Sequence, residues 1–324
     1  MNKIKKIGVF TSGGDAPGMN AAIRAVVRTA SGHKIECVGI YNGYEGMMEG
    51  KFENNLRQKI ANIMQRGGTI LKTARSKEFM EKEGRTKAYQ HLKNNNIDAL
   101  VAIGGNGTYT GAMKFGQEHD MPIIGLPGTI DNDIYGTDYT IGFDTSINTA
   151  IDAIDKIRDT ADSHSRLFFI EVMGRHAGYI ALHTAIGSGA YSVFLPETDT
   201  IIPEWVAKLN KQRRKLFNIV IVAEGNKNGN ANDIAQKVKE SGFERDVRVT
   251  VIGHLQRGGS PTCHDRVLAS RLGYQAVNCL IAGDGGIALG IVNGKLEKNG
   301  FEDAIYKTKE LDTDLLEMIN LLSL

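Results

Sequence analysis

The stretch Asp98–Ala112, DALVAIGGNGTYTGA, decides the fold. An apolar run carrying Val101 and Ile103 ends in Gly104-Gly105, and a segment of helical character follows. Read as strand, turn and helix, it puts glycine where a main chain without Cβ atoms approaches an anion. The free N–H groups of the helix start then point at the same place. No lysine follows the glycines, so the turn is not GxxxxGK[ST]. Thr110 stands where GxGxxG would need its third glycine after Gly105 and Gly107.

The same arrangement recurs in both directions along the chain. SGGDAPGMNAA (Ser12–Ala22) leaves one apolar run and enters a helix, with Pro17 near its first turn. GLPGTIDNDIYGTDYTIG (Gly125–Gly142) and VIGHLQRGGSP (Val251–Pro261) leave two others. KIGVF, IECVGI, DALVAIG, PIIGL, RLFFIEV, FNIVIVAE, RVTVIG and GIALGIV read as strands buried on both faces. In MNAAIRAVVRTA, residues Met19, Ala22, Ile23, Val26, Val27 and Ala30 follow the helical apolar spacing. Leu311, Leu315, Met318, Ile319 and Leu322 do so near the other end. Strands alternate with helices and no hairpin is evident, which predicts an α/β protein of doubly wound, mainly parallel sheets. With no Pro/Ser-rich linker, a split into domains is expected to be discontinuous. Ligands of such sheets bind beyond the carboxyl ends of the strands, where the glycine clusters fall.

Composition narrows the function. Lys and Arg total 39 against 37 Asp and Glu, which leaves no electrostatic footprint for nucleic acid or an acidic membrane. Three scattered cysteines without a CxxC argue against a disulfide framework or zinc site. The N-terminus shows no signal-peptide core and no apolar run spans a bilayer, so the expected location is cytoplasmic. Glycine is 38 of 324 residues, against roughly 7% in an average chain, and the excess sits in the strand-end turns.

Charged residues cluster at those turns. Asp131 and Asp133 in TIDND face one side if the segment is extended, so one could take a hydroxyl proton while the other holds a hydrated Mg²⁺. Arg75, Arg166, Arg175, Arg248 and Arg257 lie at strand edges or glycine turns, places suited to phosphate recognition. His254, beside Arg257, is a donor for a sugar or phosphate oxygen. Arg24 and Arg28 share an exposed face of the first helix, which suits a solvated face or an anion effector.

SGGDAPGMNAAIR, RGGT…AR, GGNGTY, PGTIDNDI.GTDYTIGF, RDTADSHSR, EVMGR and GH.QRGGSP..DR.LASR, in this order, resemble bacterial ATP-dependent 6-phosphofructokinase along essentially the whole chain. The resemblance implies two similar doubly wound, Rossmann-like α/β domains with the active site in the cleft between them. The ATP-binding domain would be residues 1–142 plus 255–304, and the fructose-6-phosphate-binding domain 143–254 plus 305–324. It implies transfer of the ATP γ-phosphoryl group to the 1-hydroxyl of fructose 6-phosphate, with Mg²⁺ as cofactor. Asp131 resembles the general base, and Thr129 and Arg175 the transition-state stabilisers. Gly13, Tyr44, Arg75, Ser76, Gly105, Asn106, Gly107, Thr108 and Gly111 match ATP-site positions. Met173, Gly174, Glu224, His254 and Arg257 match sugar-phosphate contacts. Arg166 and Arg248 match arginines that reach the 6-phosphate of a neighbouring subunit, which implies a homotetramer.

The resemblance also speaks to the donor. Pyrophosphate-using relatives carry an acid at the place of Gly107 and a lysine at that of Gly128, so two glycines imply ATP. Two departures stand out. Asn106 replaces the acid of the family's GGDG, which implies a weakened metal site with Asp133 as its remaining acid. It also motivates an alternative reading as a catalytically impaired or regulatory paralogue. At the effector site Arg24, Arg28 and Arg158 match, but Lys51 stands for an arginine and Tyr191 for an acid.

Overall fold

The computed structural model describes residues 4–162, 166–211 and 218–322. Ser163–Ser165 of the SHSR motif and Phe217 at the head of FNIVIVAE lie outside the described residues. The chain forms two compact units: residues 1–130, 134–145 and 257–309, and residues 131–133, 146–256 and 310–324.

The first unit opens with β1 (Lys6–Thr11), α1 (Met19–Gly32), β2 (Glu36–Ile40), α2 (Gly43–Met48), β3 (Phe52–Glu53) and α3 (Leu56–Lys59). It continues through α4 (Lys82–Asn94), β4 (Ala99–Gly104), α5 (Asn106–His119) and β5 (Ile123–Pro127), and α6 (Phe143–Asp162) leads on. The second unit holds β6 (Leu167–Val172), α7 (Tyr179–Gly187), β7 (Ser192–Phe194), α8 (Ile202–Lys211), β8 (Asn218–Ala223), α9 (Ala231–Glu240) and β9 (Val247–Val251). The chain then returns for α10 (Cys263–Ala282), β10 (Ile287–Val292), β11 (Lys295–Gly300) and α11 (Phe301–Tyr306). α12 (Thr313–Leu322) belongs again to the second unit.

Among the described residues the first unit carries a seven-stranded sheet in the order β11-β10-β5-β4-β1-β2-β3, and the second a four-stranded sheet, β7-β8-β6-β9. All pairs of the second are parallel, and so are the central pairs of the first. β1, β4 and β5 are buried along nearly their whole length, as continuous apolar runs require when helices cover both faces. The stripe on α1 is buried from Met19 to Ala30 as its spacing predicts.

Four expectations need correction. A hairpin does exist: β10 and β11 pair antiparallel across Asn293-Gly294, both at positive φ (49° and 76°), the dipeptide that a two-residue turn favours. β3 is likewise antiparallel to β2. β9 is not buried on both faces, because it forms the edge of its sheet and exposes Arg248 and Val251. On α12 Ile319 is buried, but Leu322 is 72% exposed. Finally, TIDND is not extended: Asn132 has φ 55°, so the alternation that would align Asp131 with Asp133 is broken by a left-handed residue.

Candidate active site

In the first unit the glycine turns converge. Thr108 Oγ1, in the first turn of α5, donates to Ser12 O at 3.1 Å, and Thr73 Oγ1 donates to Gly13 O at 2.7 Å. Arg257 Nη1 donates to Asp15 O at 3.3 Å and would lie 2.7 Å from a Cβ on Gly14. A Cβ on Gly67 would meet Gly259 O at 2.3 Å. Four turns are therefore packed together: Ser12–Asp15 against Gly104–Gly107 and Gly67–Gly68 against Arg257–Ser260 main chain to main chain, with the Arg257 side chain joining the two pairs.

Two helices start at this convergence without side-chain caps. The N-caps of α1 and α5 are Gly18 and Gly105, and neither helix has an acid in its first turn. α9 and α10, by contrast, are capped by Asn230 and Thr262. Uncapped N–H groups and a positive dipole end suit an anion. Gly107 opens onto free space, with nothing within 4 Å of an added Cβ. Gly128 is tight: a Cβ would press on Ile103, Met19 and the backbone nitrogen of Gly104 at 3.0 to 3.2 Å.

Residues matched to the ATP site divide by burial. Arg75 is exposed and has no hydrogen-bond partner among the described residues, while Ser76 Oγ accepts from Phe79 N at 3.2 Å. Tyr44 is buried, stacks on Phe79 at 4.0 Å, and donates from its hydroxyl to Thr108 O at 2.5 Å. Burial pushes its pKa well up. Gly111 answers to Tyr44, since a Cβ there would sit 2.8 Å from its ring. Asn106 is the first residue of α5, with its carbonyl accepting from Thr110 Oγ1 at 3.0 Å.

In the second unit the turn after β6 is held from several sides. Gly174 has φ 140° and Arg175 φ 54°. Glu224 Oε1 accepts from the main-chain nitrogens of both, at 3.2 and 2.8 Å. Arg175 Nε lies 3.7 Å from Oδ2 of Asp131, which is itself buried. Asp133 is half-buried and, after burial itself and Glu197, contributes to raising the Tyr179 pKa. Arg166 Nε and Arg248 Nη2 share Oδ2 of Asp246 at 2.8 and 3.0 Å, which holds the two guanidinium groups together at the sheet edge. His254 is exposed. Thr129, in the first unit, is half-buried and its carbonyl accepts from Thr140 Oγ1 at 2.6 Å.

Of the effector candidates, Lys51 pairs with Glu49 at 2.6 Å and Arg158 donates to Ser188 O. Arg24 is half-buried and Arg28 exposed, both on α1. Tyr191 packs edge-on against Trp205. Sequence reasoning missed Gln256, Glu197 and the pair Arg85–Glu118. Each is a polar residue whose partner is remote in sequence, so no local pattern marks it.

A model of the family Phosphofructokinase matches residues 6–280. The chain belongs to the phosphofructokinase family. It is similar to ATP-dependent 6-phosphofructokinase 1 of Thermus thermophilus, 52% identical over 324 residues that cover 99% of this chain and all of the relative. Similarity to ATP-dependent 6-phosphofructokinase 2 of Bacteroides thetaiotaomicron is 52% over 326 residues and the full length of both. Among solved structures, Pichia pastoris phosphofructokinase in the T-state superposes with a TM-score of 0.88 at 35% identity. That match covers 99% of this chain and 37% of the Pichia chain, so this chain spans little more than a third of its length. The mixed α/β phosphofructokinase fold with mostly parallel sheets agrees with the expected class. Relatives named as enzymes over the full length do not favour the impaired reading that Asn106 alone motivated.

Proposed function

We propose that this chain is an ATP-dependent 6-phosphofructokinase that moves the ATP γ-phosphoryl group to the 1-hydroxyl of fructose 6-phosphate. The observation that carries the reading is the convergence of four glycine turns beneath uncapped helix starts, in a chain similar end to end to enzymes of that name. Gly13, Gly105, Gly107 and Thr108 cradle the polyphosphate with main-chain N–H groups, and Arg75, exposed and without a hydrogen-bond partner among the described residues, supplies positive charge. Ser76 and Tyr44 act by shape: one braces the turn that carries Phe79, the other fills the space beneath α5 that Gly111 leaves. Asp131 takes the proton of the sugar hydroxyl, and Arg175, whose Nε lies 3.7 Å from Asp131 Oδ2, offsets charge in the transition state. Thr129 adds a neutral donor. Met173, Gly174, Glu224, His254 and Arg257 orient the sugar phosphate, and Arg166 with Arg248 binds the 6-phosphate of a neighbouring subunit in a homotetramer.

Among the described residues no cluster of three or more His, Cys, Asp or Glu could hold a metal by itself. That suits Mg²⁺ carried by phosphates and water, for which a hard amide oxygen on Asn106 and a carboxylate on Asp133 are fitting partners. When bound, the ion neutralises charge on the transferred phosphoryl group. Among the described residues no helix is long and apolar enough to cross a membrane, and the proposed cytoplasmic location rests instead on three free cysteines, as a reducing compartment keeps them.

The test is a coupled assay with fructose 6-phosphate and ATP, run over a Mg²⁺ titration beside Asn106→Asp. Turnover is expected in both, with half-saturation at lower Mg²⁺ in the variant. No turnover of the unaltered chain at saturating Mg²⁺ would refute the proposal.

A further inference from the structure

Arg175 has a side chain yet sits in the left-handed region, at φ 54°, directly after Gly174 at φ 140°. Backbone of this kind is strained in a residue with a side chain and persists only where its surroundings over-determine it. Here they do. Glu224 Oε1 receives the N–H groups of Gly174 and Arg175, and Glu197 Oε1 receives that of Gly178 at 2.7 Å. Ala177 N closes onto Gly174 O at 2.9 Å. The first amide of the turn, Met173 N, donates to Gln256 Oε1 at 2.9 Å, and Gln256 Nε2 donates to Ser146 Oγ at 3.3 Å.

Gln256 is fully buried, at 0% exposure, so its amide reaches no ligand. Both of its polar ends are committed, one to the turn and one to α6. Its neighbours His254 and Leu255 in the same short helical turn are exposed, so the chain turns this one residue inward. An apolar side chain there would leave Met173 N–H buried without an acceptor, at the point where the strain of the turn begins.

We propose that Gln256 is a positioning residue for phosphoryl transfer: it anchors the Met173–Arg175 turn and thereby fixes the Arg175 guanidinium beside Asp131. This rests on the phosphofructokinase reading above and adds to it a residue that touches neither substrate. A misplacement of about 1 Å in a charge-stabilising group is worth up to roughly 100-fold in rate, so the effect is large for so remote a contact.

The experiment compares Gln256→Met, Gln256→Glu and Ser146→Ala with the unaltered chain, measuring kcat, both Michaelis constants and melting temperature. Gln256→Met has similar bulk and neither hydrogen bond. It is expected to lower kcat by about 10- to 100-fold and raise the constant for fructose 6-phosphate, leaving that for ATP within about twofold. In Gln256→Glu burial favours the neutral acid, which supplies the same acceptor and a donor, so kcat returns to within about fivefold of the unaltered chain. Ser146→Ala, which spares the bond to Met173, is expected to change kcat by less than about threefold. If Gln256→Met does not fold, Gln256→Asn decides. Too short to span both partners, it supports the proposal with a loss of about threefold or more at constant ATP affinity. Unchanged kcat in the informative variant overturns the inference, and so does a loss that Gln256→Glu fails to repair. Absence of turnover in the unaltered chain would instead defeat the phosphofructokinase reading.

Discussion

Replacing Arg85 by Met tests how the first unit is braced. The guanidinium donates to both carboxylate oxygens of Glu118, from Nε and Nη2 at 2.7 Å each, and from Nη1 to Phe79 O and Met80 O at 3.0 and 2.6 Å. Its side chain is 8% exposed and that of Glu118 26%. Breaking a buried pair from one side costs about 3–5 kcal/mol, and water reaching Glu118 recovers part, so about 3 kcal/mol is the expected loss. In a unit of this size that lowers the melting temperature by about 6–12 °C. Lysine keeps the charge but not the fork, so Arg85→Lys is expected to fall roughly midway. The guanidinium holds the Glu118 carboxyl below its usual range, so its stabilisation is present above that range and is lost as pH falls through the lowered value. The gap between variant and unaltered chain therefore narrows in acid. Because Phe79 stacks on Tyr44, which bonds Thr108 O in α5, the Michaelis constant for ATP is expected to rise several-fold as well. Scanning calorimetry against pH, with ATP kinetics, provides the check. A melting temperature within about 2 °C of the unaltered chain at neutral pH would refute the bracing argument.

Three further outcomes are expected. Gly225→Ala places a Cβ 1.7 Å from Arg175 O, a backbone overlap that must displace the turn. Activity at a level within about threefold of the unaltered chain would contradict this, since the loss is expected to exceed about 100-fold. Asp265, fully buried, accepts from Gly142 N and Thr145 N at 2.8 Å, and burial raises its pKa. Its ionisation therefore erodes stability as pH rises from about 4 through the raised value, and urea unfolding of Asp265→Asn is expected to lack that slope. In a thiol titration of the native chain, exposed Cys263 reacts first. Cys37, pushed up to about 12 chiefly by burial, and Cys279, also raised by burial, react only on unfolding.

The central strands were legible because parallel strands covered on both faces must be continuous apolar runs, as in Ala99–Gly104. β11 was not: Lys295–Gly300 is polar and mostly exposed, and it is held by backbone pairing with β10 rather than by a buried face. Its turn dipeptide, Asn293-Gly294, was the readable signal. Asp-Asn-Asp carried its own warning, since asparagine tolerates the left-handed region that Asn132 adopts. The glycine turns were located from local spacing alone. What joins them, such as Thr108 to Ser12 across 96 positions and Gln256 to Met173 across 83, is a choice of distant partner that no window of sequence displays.

The order of strands in the first sheet bears on synthesis. β5 takes its outer neighbour from β10, and about 160 residues, including nearly all of the second unit, separate Pro127 from Ile287. At a ribosomal pace of about 5–20 residues per second, the hydrogen-bonding edge of β5 waits roughly 8–30 s for its partner. An unpaired apolar edge of that kind is a template for association with other chains. The nascent protein is thus most vulnerable while its second unit is being made, and a chain truncated before Ile287 would be left with that edge permanently open.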